Sequence, residues 1–434
     1  MVAVRLLILT PWYYPFVHPR AHRWTYLAAH WAARGHEVHV VCARRRGWAQ
    51  EEQHNGVWVH RVGFDSLKEV FFYRTCSTAA RGRIGAGRLA PGLALRVLSA
   101  LYRYGWKNMC FPDDAWLWYR PACRRAMALL AERPFDAVIS VSLPFTGHLV
   151  GYYLKRRHPA VRWLADVGDP YSAYPGPVTN PLYRWVGRRL ERSVLAQADA
   201  VAVTNAAAAE LYRLHFGLDG ARIAVIPPLY RDFSAEESQE PAWVDDRWHI
   251  GYFGAFYAPI RTPYALAALI RQTFSRRPEL IDRLVIHLYG EVFPEFWHRL
   301  SALPNTVLHG LHPPAQAQSH MRRMRVLISV GNITSWQLPS KAVSYLAAGR
   351  PVVHLSYLDE DAFVRFWGDC PHLLVLRVHR DRVTEPDVER WLHYLYHPPP
   401  PLAQQEIAQR LAPFYTSAIA SAYLDRLTAR KPPQ

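Results

Sequence analysis

The strongest constraint on the fold of this chain is a repeated alternation of short apolar runs and amphipathic segments. The first run, Val4–Leu9, has the length and aliphatic content of a buried strand. Apolar residues in Thr25–Arg34 recur at helical spacing, and Gly35 follows as a helix stop. A second strand-like run, Glu37–Val41, comes next. A strand, a helix and a strand in this order predict a parallel sheet.

The same alternation continues to residue 226, is interrupted, and then begins again. Further strands are predicted at Trp58–Val62, Ala137–Val141, Arg162–Asp166, Ala200–Thr204 and Ile223–Ile226, with helices at Leu182–Gln197 and Ala206–Phe216. The interruption, Pro227–His249, is polar and acid-rich, as an interdomain linker would be. The second series has strands at His249–Phe253, Leu284–Tyr289, Thr306–His309, Arg325–Val330, Pro351–Leu355 and Leu373–Val378.

These patterns predict an α/β protein with two Rossmann-like doubly wound domains that face each other across a cleft. A chain of 434 residues is too long for one ordinary core. We expect an N-terminal domain at residues 1–230, a C-terminal domain at 231–411, and a C-terminal helix at 412–434 that packs back on the N-terminal domain. Residues 64–126 fit the alternation poorly and are interpreted as a helical insertion.

The charge is strongly positive: Lys and Arg total 52, Asp and Glu total 35, and the net charge is +17. Nucleic acid, an anionic membrane and phosphorylated small molecules are partners that would suit it, and charge for solubility is the plainer explanation. No zinc-finger, helix-turn-helix or RNA-recognition signature is present, so no nucleic-acid partner is expected. Aromatic and basic residues mix in Val70–Arg125, which fits either an interfacial helix on anionic lipid or a packed helical insertion.

The cysteines and the hydropathy pattern indicate a cytoplasmic protein. The five cysteines contain no CxxC pair, which argues against a disulfide framework and a cysteine-based zinc site. No apolar stretch reaches the roughly 18 residues of a membrane-spanning helix, and the N-terminal apolar run is too short for a signal peptide. We therefore expect a cytoplasmic location, with peripheral attachment to the inner face of the cell membrane as its extension.

A lysine at the predicted start of a short helix is the first candidate for binding. Pro339 suits the first turn of a helix, Lys341 follows it, and the loop Gly331–Ser335 comes directly after a predicted strand. Helix N-termini and the carboxyl ends of parallel strands both favour anionic ligands. Lys341 therefore lies where a diphosphate would bind. The alternative is a solvated lysine in an ordinary first turn.

Several local motifs resemble those of GT-B glycosyltransferases, most of all glycosyltransferase family 4. The motifs are LAAHWAARGHEVHVVCA, FPDDAWLW, ADVGDPY, ERSVLAQADAVAVTN, IGYFGAFYAPIRTP and QLPSKAVSYLAAGRPVV. The resemblance covers nearly the whole chain. It implies a retaining, metal-independent transferase that moves a sugar from a nucleotide-diphosphate donor, its co-substrate, to a glycan, lipid-linked or small-molecule acceptor. No other cofactor is expected.

The resemblance also implies roles for individual residues. Those expected to act in catalysis are Asp169, Arg261 and Lys341. Those expected to bind the donor are Gly254, Arg261, Gly290, Glu291, Ser340, Lys341 and Ser344. Those expected on the acceptor side are Arg20, Arg23, Asp166 and Asp169. No metal site is expected, and the triplet Asp359-Glu360-Asp361 is interpreted as a solvated loop.

The chain departs from the family pattern in two loops. Trp336 and Ser344 occupy the positions of an acidic pair whose second member binds the nucleotide ribose in the family. The first loop, usually Gly-Gly, is Phe16–Ala21 here, so Arg20, His22 and Arg23 are expected to bring positive charge instead. A histidine common in the family after the strand Ala137–Val141 is missing, since that region reads Ser140–Pro144 here, and His148 is expected on a helix face. These departures keep open an alternative, a catalytically inactive homologue that binds nucleotide sugars or acts as a scaffold.

Overall fold

The structure is a computed structural model that describes residues 3–66, 111–173, 181–233 and 245–428. It divides into two compact units. One contains the described residues up to Ile226 together with those from Ile419 onward, and the other runs from Pro227 to Ala418. The first unit therefore ends slightly before the predicted boundary at residue 230.

The first unit is built on an eight-stranded sheet with the order β3-β4-β2-β1-β5-β6-β7-β8. The strands are β1 Arg5–Leu9, β2 Glu37–Ala43, β3 Glu51–His54, β4 Val57–Val62, β5 Ala137–Val141, β6 Arg162–Asp166, β7 Ala200–Val203 and β8 Ile223–Val225. The helices are α1 Pro19–Ala33, α2 Trp116–Glu132, α3 Thr146–Arg157, α4 Pro181–Leu195 and α5 Ala206–Phe216. Among the described strands of this sheet, only β3 pairs antiparallel, with β4.

The second unit is built on a seven-stranded sheet with the order β11-β10-β9-β12-β13-β14-β15. The strands are β9 Trp248–Phe253, β10 Leu284–Tyr289, β11 Thr306–Gly310, β12 Val326–Val330, β13 Val352–Ser356, β14 Leu373–His379 and β15 Arg382–Val383. The helices are α6 Tyr264–Arg276, α7 Pro294–Ser301, α8 Pro314–Arg323, α9 Lys341–Ala348, α10 Ala362–Trp367, α11 Glu385–Tyr396 and α12 Gln404–Leu411. β15 pairs antiparallel with β14.

The order of the strands determines where each unit can hold a ligand. In the first unit the chain builds outward from β1 on one side and then returns to place β5 on the other side. In the second unit β9 and β12 have the same relation. Open α/β sheets bind ligands at such a switch point, outside the carboxyl ends of the strands. We therefore expect ligands at the loops after β1 and β5 in the first unit and after β9 and β12 in the second.

The last helix, α13 Thr416–Thr428, ends in the first unit. Tyr423 is fully buried there, with its ring 5.3 Å from that of Trp24, and Trp31 Nε1 donates a hydrogen bond of 3.3 Å to the carbonyl oxygen of Ala420. Residues 412–415, expected within this helix, form a short 3₁₀ turn at Ala412–Phe414 and a link to the helix. Pro413 explains the break, because proline has no backbone N–H for an α-helical bond.

Most of the predicted insertion, residues 67–110, lies outside the described residues. Its last part was assigned wrongly. Residues 116–126 are the first turns of α2, which packs on β2, β4 and α3 as a regular helix of the first unit. Among the residues that the structure describes, no helix has both the length and the hydropathy to cross a membrane.

Candidate functional site

Two basic side chains stand at the switch point of the second sheet. Arg261 follows β9 through the loop 254–260, and Lys341 is the first residue of α9, after the loop that leaves β12. Because β9 and β12 are neighbours in the sheet, the two loops leave the same edge. The switch point therefore presents positive charge where an anionic ligand of such a sheet would bind.

Arg261 is held in place by the second of these loops. Its Nε and Nη2 atoms donate hydrogen bonds of 3.1 and 2.7 Å to Asn332 Oδ1. Asn332 is itself buried, and its Nδ2 donates 3.2 Å to Gln337 Oε1. The backbone N–H of Ile333 donates 3.2 Å to the carbonyl oxygen of Ile260, which joins the two loops directly. The guanidinium is thus oriented by neutral partners and keeps its charge for a ligand.

Lys341 is half-buried, and no carboxylate in the described part of the chain pairs with its ammonium group. Burial lowers the pKa of Lys341 below its usual value. Ser340, the exposed residue before α9, makes no side-chain cap, so the amides of the first turn are not satisfied by it. A half-buried cation without a counter-charge at the start of a helix is a suitable environment for a phosphate group.

Glycines keep the ends of β9 and β10 close together. A Cβ atom on Gly290 would lie 2.0 Å from the carbonyl oxygen of Gly254, and the φ of Gly290 is +128°. A Cβ on Gly254 would lie 2.7 Å from Tyr252 Oη and 3.4 Å from Arg261 Nη1. No other residue fits at either position without a shift. Glu291, also expected to bind the donor, is exposed just after β10. Its backbone oxygen accepts a 3.0 Å hydrogen bond from the N–H of Phe256.

Tyr345 fixes the helix that carries the predicted donor residues, and the sequence analysis missed it. Its buried hydroxyl accepts a 2.9 Å hydrogen bond from the N–H of Phe253 and donates 2.8 Å to the carbonyl oxygen of Ile328. Because these partners lie in β9 and β12, one side chain ties α9 to both strands of the switch point. Ser344 is half-buried on the same helix. The available signal was a tyrosine four residues after Lys341, one helical turn along.

The interpretation of Asp359-Glu360-Asp361 as a solvated loop is wrong for its last residue. Asp359 and Glu360 are exposed, whereas Asp361 is 5% exposed. Its Oδ2 accepts a 2.8 Å hydrogen bond from Ser356 Oγ and lies 2.9 Å from His354 Nε2. Its Oδ1 accepts a 2.8 Å hydrogen bond from the N–H of Phe363, which lies in the first turn of α10. The aspartate is buried because it caps a helix and pairs with a buried histidine.

In the first unit, the expected acceptor-side residues form an ion pair instead of a row of free charges. Arg20, near the start of α1, pairs with Asp166 at the end of β6, and its Nη2 also donates 3.2 Å to the backbone oxygen of Asp166. The hydroxyl of Tyr423 donates a further hydrogen bond to the Asp166 carboxylate. Asp166 is 3% exposed. Its carboxylate is thus occupied in holding α1 and α13 to β6.

The expectation that Arg23 brings charge to a ligand is wrong. Arg23 is 7% exposed, and its Nη2 donates 3.1 Å to Tyr423 Oη and 3.5 Å to the backbone oxygen of Ile226. It lies one turn of α1 after Arg20 and faces the core rather than solvent. Arg23 therefore positions the C-terminal helix, and Arg20, with 15% of its side chain exposed, is the arginine nearer to solvent.

The turn that carries Asp169 is held by a buried glutamate of α4. Glu191 accepts hydrogen bonds from the N–H groups of Tyr171 and Ser172 at 3.0 and 2.9 Å. It also accepts from the hydroxyls of Ser172 and Tyr212 at 2.6 and 2.5 Å. Four bonds to a carboxylate that is 1% exposed make this turn rigid. Asp169 is half-buried in it, directly after β6.

The Pro-Asp motif and His148 are parts of the same edge of the first sheet. Asp113 accepts a 2.9 Å hydrogen bond from the N–H of Thr146 and a 2.6 Å hydrogen bond from its hydroxyl, so it caps the start of α3. His148 lies on α3, as expected, but it is fully buried and lies 2.8 Å from Ser140 Oγ. Burial lowers the pKa of His148 to about 3. The imidazole is therefore neutral near pH 7.

Comparison with known proteins shows the fold, and a family model matches the N-terminal part of the chain. Sucrose-phosphate synthase from Thermosynechococcus elongatus matches over 98% of both chains with a TM-score of 0.63 and 13% identity. A trehalose-6-phosphate protein from E. coli, bound with UDP-2-fluoro glucose, matches over 99% of this chain and 100% of its own with a TM-score of 0.59 and 13% identity. A trehalose-phosphate synthase from Burkholderia xenovorans, in complex with glucose-6-phosphate, matches over 98% of this chain and 100% of its own. Its TM-score is 0.63 and its sequence identity is 12%.

A family model for a glycosyl transferase 4-like domain matches residues 21–228. The fold of the chain is that of GT-B glycosyltransferases. This confirms the fold class of two Rossmann-like units, and the family model supports the family resemblance over residues 21–228. No curated protein matches the sequence significantly.

The expected site residues fall into two groups. The second unit brings Gly254, Arg261, Gly290 and the start of α9 to one edge of its sheet. The first unit brings Arg20 and Asp166 together and places Asp169 in the following turn. Within the described ranges, no cluster of three or more His, Cys, Asp or Glu residues is arranged to hold a metal ion.

Proposed function

We propose that the chain transfers a sugar from a nucleotide-diphosphate donor, with retention of the anomeric configuration and without a metal ion. The observation that carries this proposal is the pair of cationic side chains, Arg261 and Lys341, at the switch point of the second unit, neither of which has a carboxylate partner among the described residues. The relative that binds UDP-2-fluoro glucose supports a nucleotide-sugar donor. No further cofactor is part of the proposal.

The proposed chemistry relies on charge stabilisation at the leaving group. When the bond from the sugar to the diphosphate breaks, negative charge develops on the phosphate oxygens. Arg261, Lys341 and the first amides of α9 would stabilise it, as oriented cations and dipoles do in other enzymes. In a reaction on one face of the sugar, the leaving phosphate accepts the proton of the acceptor hydroxyl. Asp169 would orient the groups that react, and no protein nucleophile is needed.

The acceptor is proposed to be a glycan, a lipid-linked molecule or a small molecule. The structural neighbour in complex with glucose-6-phosphate supports an acceptor that carries a phosphate. The net charge of +17 suits a phosphorylated acceptor and a peripheral position on the inner face of the cell membrane.

A screen of nucleotide sugars tests the proposal. The donor should raise the melting temperature of the full chain more than the other nucleotide sugars do, since a ligand that binds the folded state stabilises it. With that donor, mass spectrometry should detect a glycosylated acceptor or free sugar. Nuclear magnetic resonance should show that the product keeps the donor's anomeric configuration. Addition of EDTA should change neither the rate nor the yield of the reaction. Donor binding without transfer or hydrolysis would favour the alternative of an inactive homologue.

Replacing Ser344 tests its proposed position next to the donor ribose. Ser344 lies one helical turn after Lys341 and is half-buried, whereas Tyr345 and Leu346 beside it are buried. Ser344→Glu restores the acid found in the family and is expected to keep or increase the affinity for the nucleoside diphosphate. Ser344→Leu is expected to abolish binding by filling the space. Ser301→Glu, an exposed serine on α7, is the control.

Melting temperature and nucleotide affinity are measured for all three variants. If Ser344→Glu lowers the melting temperature sharply while Ser344→Leu binds the nucleotide normally, Ser344 belongs to the core of the unit and not to the ribose site. A buried unpaired carboxylate would explain the loss of stability.

Replacing Asp169 tests the proposed role of the first unit. Asp169→Asn should lower the transfer rate about tenfold to a hundredfold, the range of a lost charge-assisted hydrogen bond of about 1.5–3 kcal/mol. Donor affinity should stay unchanged, because the proposed donor residues lie in the second unit. Asp219→Asn, an exposed aspartate of the first unit, is the control. An unchanged rate in Asp169→Asn would remove this residue from the mechanism.

A further inference from the structure

The outward face of α4 carries an apolar side chain where a solvated helix would carry a polar one. Glu191 and Val194 bury the inner side of the helix, with 1% and 2% of their surfaces exposed. With about 100° between successive residues, Trp185 lies roughly opposite them and is 53% exposed. Leu182, one turn earlier, is 58% exposed. A tryptophan at this position is exposed at a cost and suggests that another surface covers it.

Arginines surround this tryptophan, and no carboxylate in the described part of the chain pairs with them. Arg188, Arg189 and Arg192 are all exposed. The Cζ atom of Arg189 lies 3.8 Å from the centre of the Trp185 ring, a cation–π contact. The one acidic residue of α4 is Glu191, which points inward and accepts four hydrogen bonds. The outward face is therefore apolar and positive, without negative charge of its own.

The neighbouring helix extends the apolar part of this surface. Arg188 Nη2 donates a 3.1 Å hydrogen bond to the backbone oxygen of His215, at the end of α5. Leu214, the residue before His215, is 60% exposed. A Cβ on Gly217, just after α5, would lie 3.3 Å from Arg192 Nη2, so this arginine also borders the end of α5. The end of α5 is thus fixed against α4, and its exposed leucine adds to the apolar area.

We propose that the outward face of α4 docks the protein on an anionic lipid surface. Tryptophan is favoured at the boundary between lipid headgroups and acyl chains, and arginines are attracted by anionic headgroups. A basic face with exposed Trp and Leu is the pattern of a helix that lies in this boundary. A protein partner would have to supply several carboxylates in a matching shape, whereas an anionic bilayer supplies its charge over any flat area. Lipid is the occupant that these residues fit.

This inference rests on the proposed function in one respect: it names the surface through which the proposed peripheral attachment to the membrane would occur. In the sequence, the stretch that fits either an interfacial helix on anionic lipid or a packed helical insertion is Val70–Arg125. Residues 70–110 of that stretch lie outside the described residues. The α4 face was not recognised from the sequence, because a helix with alternating Arg and apolar residues could equally have been packed on both sides.

The test measures binding of the full chain to vesicles by flotation. Vesicles of phosphatidylcholine with phosphatidylglycerol should bind the protein at low salt, vesicles of phosphatidylcholine alone should not, and 1 M salt should release it. A triple variant that removes the charges together should lower the partition coefficient about a hundredfold; its substitutions are Arg188→Gln, Arg189→Gln and Arg192→Gln. Each arginine near an anionic surface raises the partition coefficient by a factor of about five. Trp185→Ser should lower it as well.

A matched control removes the same charge elsewhere. Arg299→Gln, Arg365→Gln and Arg410→Gln replace three exposed arginines of the second unit, and Trp297→Ser replaces a tryptophan that is 47% exposed on α7. These variants should bind vesicles nearly as wild type does. Melting temperature and the thermal shift with nucleotide sugars, recorded for every variant, separate loss of lipid binding from failure of the proposed donor site.

Three outcomes would overturn the proposal. The first is a wild type that binds no anionic vesicles at low salt. The second is an equal loss of binding in the α4 variants and the control variants. The third is competition by inorganic phosphate, at the lipid-phosphate concentration, that is as strong as competition by vesicles. The last outcome would indicate a free phosphate as the ligand of these arginines.

Discussion

Lys341→Ala and Arg261→Ala are each expected to weaken binding of the nucleoside diphosphate about tenfold to a hundredfold while the chain stays folded. Each substitution removes a hydrogen bond between a cation and a phosphate, worth about 1.5–3 kcal/mol. Neither side chain supports the fold through an ion pair in the described residues. Transfer should fall by at least the same factor, because the charge on the leaving diphosphate is larger in the transition state than in the bound donor.

The two variants should differ in their effect on the protein without ligand. Burial lowers the pKa of Lys341, so the charged form is held at a cost in the free protein. Lys341→Ala should therefore leave the melting temperature unchanged or raise it. Arg261→Ala removes both donors from Asn332 Oδ1, a buried acceptor, and should lower the melting temperature slightly. A bound phosphate would favour the charged form of Lys341, so binding should take up protons at alkaline pH.

Isothermal titration calorimetry in buffers of different ionisation enthalpy measures both affinity and proton uptake. Arg271→Ala, an exposed arginine on α6, is the control for loss of charge in the second unit. If both site variants bind and turn over the donor as wild type does, the phosphate assignment at the switch point is wrong. If only the control differs from wild type, the donor binds elsewhere in the second unit.

The buried parallel strands were the part of the fold most open to prediction. β5, β6 and β10 have the predicted bounds, and the other predicted strands differ by one or two residues at their ends. β5 and β10 are buried along their whole length, and strands that are buried on both faces are nearly continuous apolar runs in the sequence. The edge strands β3 and β15 were missed. Glu51–His54 is entirely polar because it borders solvent, although Asn55-Gly56 after it, with φ values of 50° and 78°, is a typical hairpin turn.

The candidate site was predictable at strand ends but not for side chains whose role depends on distant partners. Arg261 and Lys341 follow strands that are neighbours at a switch point, which a motif can indicate. Arg23 and Arg20 look equivalent in the sequence, and only the packing of α13, some 400 residues later, makes Arg23 a partner of Tyr423. Asp361 similarly depends on His354, in the strand before it. Such pairings arise from tertiary contacts, which local spacing does not determine.

The second large effect that we expect is loss of stability in mild acid, caused by a row of histidines in the second unit. His249 lies 2.7 Å from Asp245 Oδ1 and 2.8 Å from His287, and His287 lies 2.8 Å from His309. The three rings stand side by side on β9, β10 and β11. Each bond between two imidazoles needs one donor and one acceptor, so protonating two neighbours breaks it.

The sign of the pH effect follows from the pKa values. Burial, together with the neighbouring His309 and His249, lowers the pKa of His287 to about 3, and burial lowers that of His309 to about 4. In the unfolded chain both titrate near 6.5. Between these values the unfolded state binds protons that the folded state does not. Stability is therefore complete above about pH 6.5 and falls below it, by about 1.4 kcal/mol per pH unit for each histidine.

Urea unfolding at several pH values between 7.5 and 5 measures this slope. His287→Gln cannot bind a proton in either state, so the slope should fall by about 1.4 kcal/mol per pH unit, whatever the variant costs in stability at pH 7.5. His298→Gln, an exposed histidine on α7, is the control and should leave the slope unchanged. A slope that is the same in wild type and His287→Gln would mean that His287 is protonated in the folded protein. The row would then carry a charge, which Asp245 at its end could balance.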